Sequence, residues 1–135
     1  MKCGKIKADI MDDGGTNMKI YVHTAEKKEN GWYFLCEASL QGLQAKRHML
    51  VDSDACAFAY ILEAADAFVY VIMPKEVWGA IKEALRTNEP VFLVGNDATI
   101  ELEGIHEEVA YLIENIAGNA NYGEEMEQAV TAFFE

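Results

Sequence analysis

Two apolar runs, residues 56–62 and 67–73, stand on either side of Glu63-Ala64-Ala65-Asp66. Each run has strand length, is rich in aromatic and β-branched residues, and lacks the polar alternate positions of a strand with one wet face. Four residues join them. This predicts a β-hairpin whose strands are buried on both faces and lie at the centre of a sheet. Phe58, Tyr60 and Leu62 would share one face of the first strand, and Phe68, Tyr70 and Ile72 one face of the second.

Upstream, the pattern stays strand-like. Residues 5–11 alternate, and 12–17, Asp-Asp-Gly-Gly-Thr-Asn, form a dense turn signal. Residues 18–23 alternate with Met18, Ile20 and Val22 inward. A second turn covers 27–31, and 32–36 are aromatic and β-prone. Residues 38–47 fit no period, and 49–51 read as a short strand.

Downstream, the period changes. Val77, Trp78, Ile81 and Leu85 follow helical spacing, with Pro74 as the first helical residue and 87–90 as the stop. Residues 91–94 and 99–103 form a second hairpin around Gly95-Asn96-Asp97. Ile105, Val109, Leu112, Ile113 and Ile116 make the clearest amphipathic helix, with Gly118 as its stop. Asn121 with Glu124 resembles a capping box opening a last helix that carries Met126, Ala129, Val130, Phe133 and Phe134. The order is strands first, then one helix, a hairpin and two helices. The fold class is therefore α+β, a mainly antiparallel sheet with about three helices packed on one face, in a single domain over 1–135.

The chain has 135 residues and a net charge of −12, and the charge is unevenly placed. All 11 Lys and Arg fall before residue 87, whereas 11 of the 23 acids follow it. Phosphate contacts need a basic face, so nucleic acid is not an expected partner, and an anionic membrane surface is disfavoured for the same reason. The longest uncharged apolar runs, residues 55–62 and 67–73, are far short of the roughly 20 residues that span a bilayer. No leader sequence is recognisable, so the expected location is cytoplasmic. Three cysteines without a CxxC pair would be reduced there; Cys36 and Cys56 read as core thiols and Cys3 as a terminal one.

Candidate chemistry is sparse. His106-Glu107-Glu108 invites comparison with a metal-binding helix, but the second histidine of that motif would have to be residue 110, which is Ala110. Asp52-Ser53-Asp54 and Asp12-Asp13-Gly14 supply too few ligands for a calcium loop and read as turns. The two serines, Ser39 and Ser53, lie outside any nucleophile elbow. Asn119, Asn121 and Tyr122, in the connection 118–123, offer hydrogen-bonding groups at a helix start, but Glu124 and Glu125 would repel an anion there. Lys46-Arg47-His48 is the one compact basic cluster; it is too small for a nucleic-acid footprint and is suited to facing the acidic end or Asp52 and Asp54. Tyr60, Tyr70, Trp78 and Tyr111 read as core and rim aromatics.

From His48 onward, about the last two-thirds of the chain, a resemblance emerges. It is carried by Leu50-Val51-Asp52-Ser53-Asp54, by Ala57-Phe58-Ala59-Tyr60-Ile61-Leu62-Glu63, by Pro74-Lys75-Glu76-Val77-Trp78 and by Ile105-His106-Glu107-Glu108. Its most specific part is 111–116 together with 118–126. These segments resemble the YjbL-like family of small uncharacterised proteins of Bacillus-type Gram-positive bacteria. The resemblance implies a cytosolic, single-domain bacterial protein and carries over no catalytic residue.

Two function classes remain open. The first is a non-enzymatic interaction or regulatory module that uses the acidic helical end to meet a basic protein. Its candidate surface is His106, Glu107, Glu108, Asn119, Asn121, Tyr122, Glu124 and Glu125. The second is a small-molecule or metal-dependent enzyme with a site near His106 and the 118–123 loop. No catalytic residue, metal ligand or cofactor is assigned. Self-association through exposed aromatics such as Phe133 and Phe134 is a further option.

Overall fold

The structure is a computed structural model that describes residues 18–52, 56–65, 67–117 and 123–134. The expected strand at 5–11, the turn at 12–17 and Cys3 lie outside these residues. So do Asp54, Ser53, the proposed Gly118 stop and the loop residues Asn119, Asn121 and Tyr122.

The central hairpin forms as its composition requires. Strands β5 (Ala57–Glu63) and β6 (Phe68–Met73) pair antiparallel with Phe58 opposite Met73, Tyr60 opposite Val71 and Leu62 opposite Val69. These six side chains enter the main core. On the opposite face Ala57, Ala59, Ile61, Tyr70 and Ile72 form a second buried cluster, with Leu50 partly buried against it. Both faces are dry, so neither strand needs polar alternates. Phe68, expected on that second face, is exposed. Strand β1 (Met18–Tyr21) runs parallel to β6, and β4 (Gln44–Asp52) runs antiparallel to β5. The order is β1-β6-β5-β4, which places the hairpin in the middle.

The expected single sheet is, among the described residues, two four-stranded sheets. The second has the order β2-β3-β7-β8, from β2 (Thr24–Lys28), β3 (Gly31–Leu35), β7 (Val91–Val94) and β8 (Thr99–Glu101). β2 and β3 form a hairpin, and β3 runs parallel to β7. The chain crosses between the sheets in one step after β1. The Val22 N–H donates to Ile72 O in the first sheet (3.0 Å), and the next N–H, of His23, donates to Leu35 O in the second (2.9 Å). A strand that switches sheets in this way makes a corner. Ile20 and Val22 point inward as their alternation predicts, while Lys19 and Tyr21 are exposed. Both parallel pairings join segments tens of residues apart; the other ladders are antiparallel, and the α+β class holds.

Three helices follow the strand-rich part. Pro74 precedes a 3-10 turn (Lys75–Val77) rather than being the first helical residue, and α1 (Trp78–Thr87) continues from it. Asn88 ends α1 at φ 58°, a left-handed conformation that asparagine tolerates well. Helix α2 (Ile105–Ile116) buries Ile105, Val109, Leu112 and Ile116, and α3 (Glu124–Phe134) buries Met126 and Val130. All join the cluster on the Phe58–Tyr60–Leu62 face of the first sheet, whereas the second cluster contains no helical residue. Cys36 and Cys56 are buried free thiols, and burial pushes both above the usual thiol range.

Candidate functional site

The candidate surface is built around the start of α2. Gly104, at φ 78°, turns the chain from β8 into the helix, and the Arg47 side chain lies beside it. Arg47 is itself left-handed (φ 59°), at a bulge where the β4–β5 register shifts between Ala45 and Met49. The bulge turns the basic cluster outward, and each member meets an acid. Lys46 Nζ lies 3.4 Å from Glu63 Oε1, Arg47 Nη2 lies 2.8 Å from Glu103 Oε1, and His48 Nδ1 lies 3.4 Å from Glu108 Oε1. Two of these acids belong to the acidic end, as the sequence suggested. Beneath them the buried Tyr60 hydroxyl donates to the Glu103 carbonyl, and burial is the main reason its pKa is pushed up to about 12.

The three residues of the His106-Glu107-Glu108 run have separate fates. His106 is half-buried, and its Nε2–H donates to the Glu89 carbonyl in the segment that follows α1. It therefore clasps α2 to the end of α1. Glu108 turns toward β4, where its Oε1 accepts the Met49 N–H at 3.0 Å. Glu107 is exposed and has no ion pair within 4 Å among the described residues. Glu108→Ala would leave the part-buried Met49 N–H without its acceptor, at a cost of about 1–2 kcal/mol. Glu108→Gln keeps an acceptor oxygen and should cost clearly less. Urea unfolding of the two variants checks this ordering, and equal midpoints would refute the bond's role.

Glu124 and Glu125 lie in the first turn of α3 and are exposed. There the positive end of the helix dipole favours a carboxylate. His106 lies in the first turn of α2, and Asn119, Asn121 and Tyr122 of the proposed surface lie outside the described residues. No group of three or more His, Cys, Asp or Glu among the described residues is placed to hold a metal ion. Phe133 and Phe134 pack on Trp78 and are partly buried.

What the sequence reading missed is a groove. A shallow depression, largely open to solvent, lies between α1 and α2, lined by Leu85, His106, Glu107, Ala110, Ile113 and Glu114. It adjoins a narrow crevice of about 10 Å³, room for about one water, that shares Leu85 and His106 and reaches Ile81, Ala84, Val91 and Val109. Tyr111, 62% exposed, stands on the same outward side of α2 between Glu107 and Glu114. The signal was present in the helical wheel, where Glu107, Tyr111 and Glu114 are i, i+4 and i+7.

Comparison with known proteins places the chain. A model of a family of unknown function, UPF0738, matches residues 20–134. The chain belongs to the UPF0738 family. A UPF0738 protein of Geobacillus kaustophilus is 52% identical over 124 residues, 88% of this chain and 98% of the relative. One of Bacillus thuringiensis is 49% identical over 119 residues, 86% of this chain and 97% of the relative. One of Geobacillus sp. strain WCH70 is 47% identical over 119 residues, again 86% of this chain. No solved structure matches. The resemblance to uncharacterised proteins of Bacillus-type bacteria therefore stands at the level of the UPF0738 family. Among the described residues, no helix is long and apolar enough to cross a membrane.

Proposed function

We propose that this UPF0738 protein is a non-enzymatic interaction module that meets a basic protein partner through its acidic helical end. The supporting observation is how the polar groups are used. His106, Glu108 and Glu103 are each engaged in bonds that hold the fold together, while Glu107, Glu114, Glu124 and Glu125 face solvent with no ion pair within 4 Å among the described residues. One-sign surfaces of this kind steer and select partners more than they do chemistry. The regulatory version of this reading, cytoplasmic residence and single-domain organisation are part of the same proposal. So is the equivalence of the UPF0738 family with the YjbL-like proteins, whose shared segments all lie within the matched region.

The test is retention of a partner by the purified protein, with the captured proteins identified by mass spectrometry. A basic protein should be held at low salt, released as salt rises, and lost when Glu107, Glu114, Glu124 and Glu125 become Gln. Capture unchanged by these substitutions would refute the electrostatic reading. The alternative, an enzyme working near His106 and the 118–123 loop, is tested by thermal shift with divalent metals and metabolites. A ligand at 100 times its Kd adds about 2.7 kcal/mol, a shift of several degrees. A saturable shift of that size would favour the enzyme.

A further inference from the structure

We infer that the groove between α1 and α2 is the docking surface of this module, and that its occupant is a basic amphipathic helical segment of the partner. The inference rests on the interaction reading above and says where and what the module binds.

Two features converge on this occupant. The floor, Leu85, Ala110 and Ile113, is apolar and outward-facing, so it offers area that an apolar stripe can cover. The α2 rim is acidic: Glu107 and Glu114 are seven residues apart, about 10.5 Å along the helix. A helix lying alongside α2 repeats its own side chains at the same interval, so Lys or Arg at i and i+7 would meet both glutamates while residues at i+3 and i+6, the spacing of Ala110 and Ile113 from Glu107, face the floor. The charge is complementary to a basic partner because α2 carries no Lys or Arg at all. On the other helix Arg86 is already tied to Glu83, at 2.6 Å, which leaves Lys82 as the other base of α1.

The probe is a synthetic 15-residue amphipathic helix with Leu on one face and Lys at i and i+7. It would be titrated into the full-length, isotope-labelled protein and followed by amide chemical shifts and fluorescence anisotropy. The expected result is saturable binding with shift changes centred on Leu85, Ala110 and Ile113. Glu107→Lys with Glu114→Lys, or Ala110→Arg alone, should weaken it at least tenfold, while Glu124→Lys with Glu125→Lys should change it less than twofold. Equal loss from both glutamate pairs would overturn the groove but leave the acidic-module reading standing. The groove is equally overturned by shift changes scattered over the surface, by no binding, or by a concentration-dependent dimer that buries the same residues in the absence of peptide. Failure of this titration together with salt-insensitive partner capture would remove both readings.

Discussion

Trp78→Ala should cost about 3–5 kcal/mol, the range for truncating a large buried aromatic. Trp78 is fully buried, and its neighbours come from three elements that are distant in the chain. Its ring lies 5.0 Å from Phe58 on β5, and 5.8 and 5.5 Å from Phe133 and Phe134 at the end of α3. Its Nε1–H donates to the Met73 carbonyl at 3.0 Å, which fixes the start of α1 to the end of β6. Removing the ring empties the point where the central hairpin, the first helix and the last helix meet. Against a typical domain stability of about 5–15 kcal/mol, that loss is a large fraction. Trp78→Phe is the informative companion, because it keeps most of the packing but leaves the Met73 carbonyl without its donor. It should fall between wild type and Trp78→Ala. Urea unfolding followed by circular dichroism measures both, and hydrogen exchange should show α3 amides losing protection first. A cost below 1 kcal/mol for Trp78→Ala would mean that the aromatic cluster does not hold α3.

The central hairpin and the helices were legible because burial is written into local period. Runs 56–62 and 67–73 have no polar side, and Ile105 to Ile116 repeat at helical intervals, so both declare their burial without knowledge of any partner. β2 was not legible. It is an exposed edge strand with Ala25 alone partly buried, and its Lys27 and Lys28 look like turn residues. β4 was seen only at residues 49–51, because the Arg47 bulge breaks the alternation that would have revealed all nine residues. Division into two sheets depends on the Val22–His23 corner, a pair of backbone bonds that no side-chain pattern encodes. The candidate site failed to read out for a related reason. The fate of His106 is decided by the Glu89 carbonyl seventeen residues away, and that of Glu108 by the Met49 N–H across the core. Sequence could place both on the first turn of α2, but not say which way each would turn.

The same substitution at two glycines should have opposite signs. Gly31 opens β3 at φ 147°, a region that L-residues rarely enter, and a Cβ there would lie 2.6 Å from the Pro90 carbonyl oxygen. That carbonyl also accepts the Trp32 N–H at 2.9 Å, at the start of the parallel β3–β7 pairing. The chain cannot retreat without stretching this bond, so backbone strain of about 1–3 kcal/mol adds to a comparable overpacking cost. Gly31→Ala should therefore lose about 3 kcal/mol or more. Gly79, by contrast, is the second residue of α1, and a Cβ there meets nothing within 4 Å. Gly79→Ala relieves only the entropic cost of a helical glycine and should gain about 0.5–1 kcal/mol. Urea midpoints with unchanged m-values decide the pair; a loss below 1 kcal/mol at Gly31, or any loss at Gly79, would contradict it. The effect at Gly31 should also reach the groove. Pro90 directly follows Glu89, whose carbonyl holds His106, so displacing Pro90 loosens the clasp between α1 and α2. The His106 ring resonances should shift in Gly31→Ala and stay unmoved in Gly79→Ala, which separates strain carried through Pro90 from a general loss of stability.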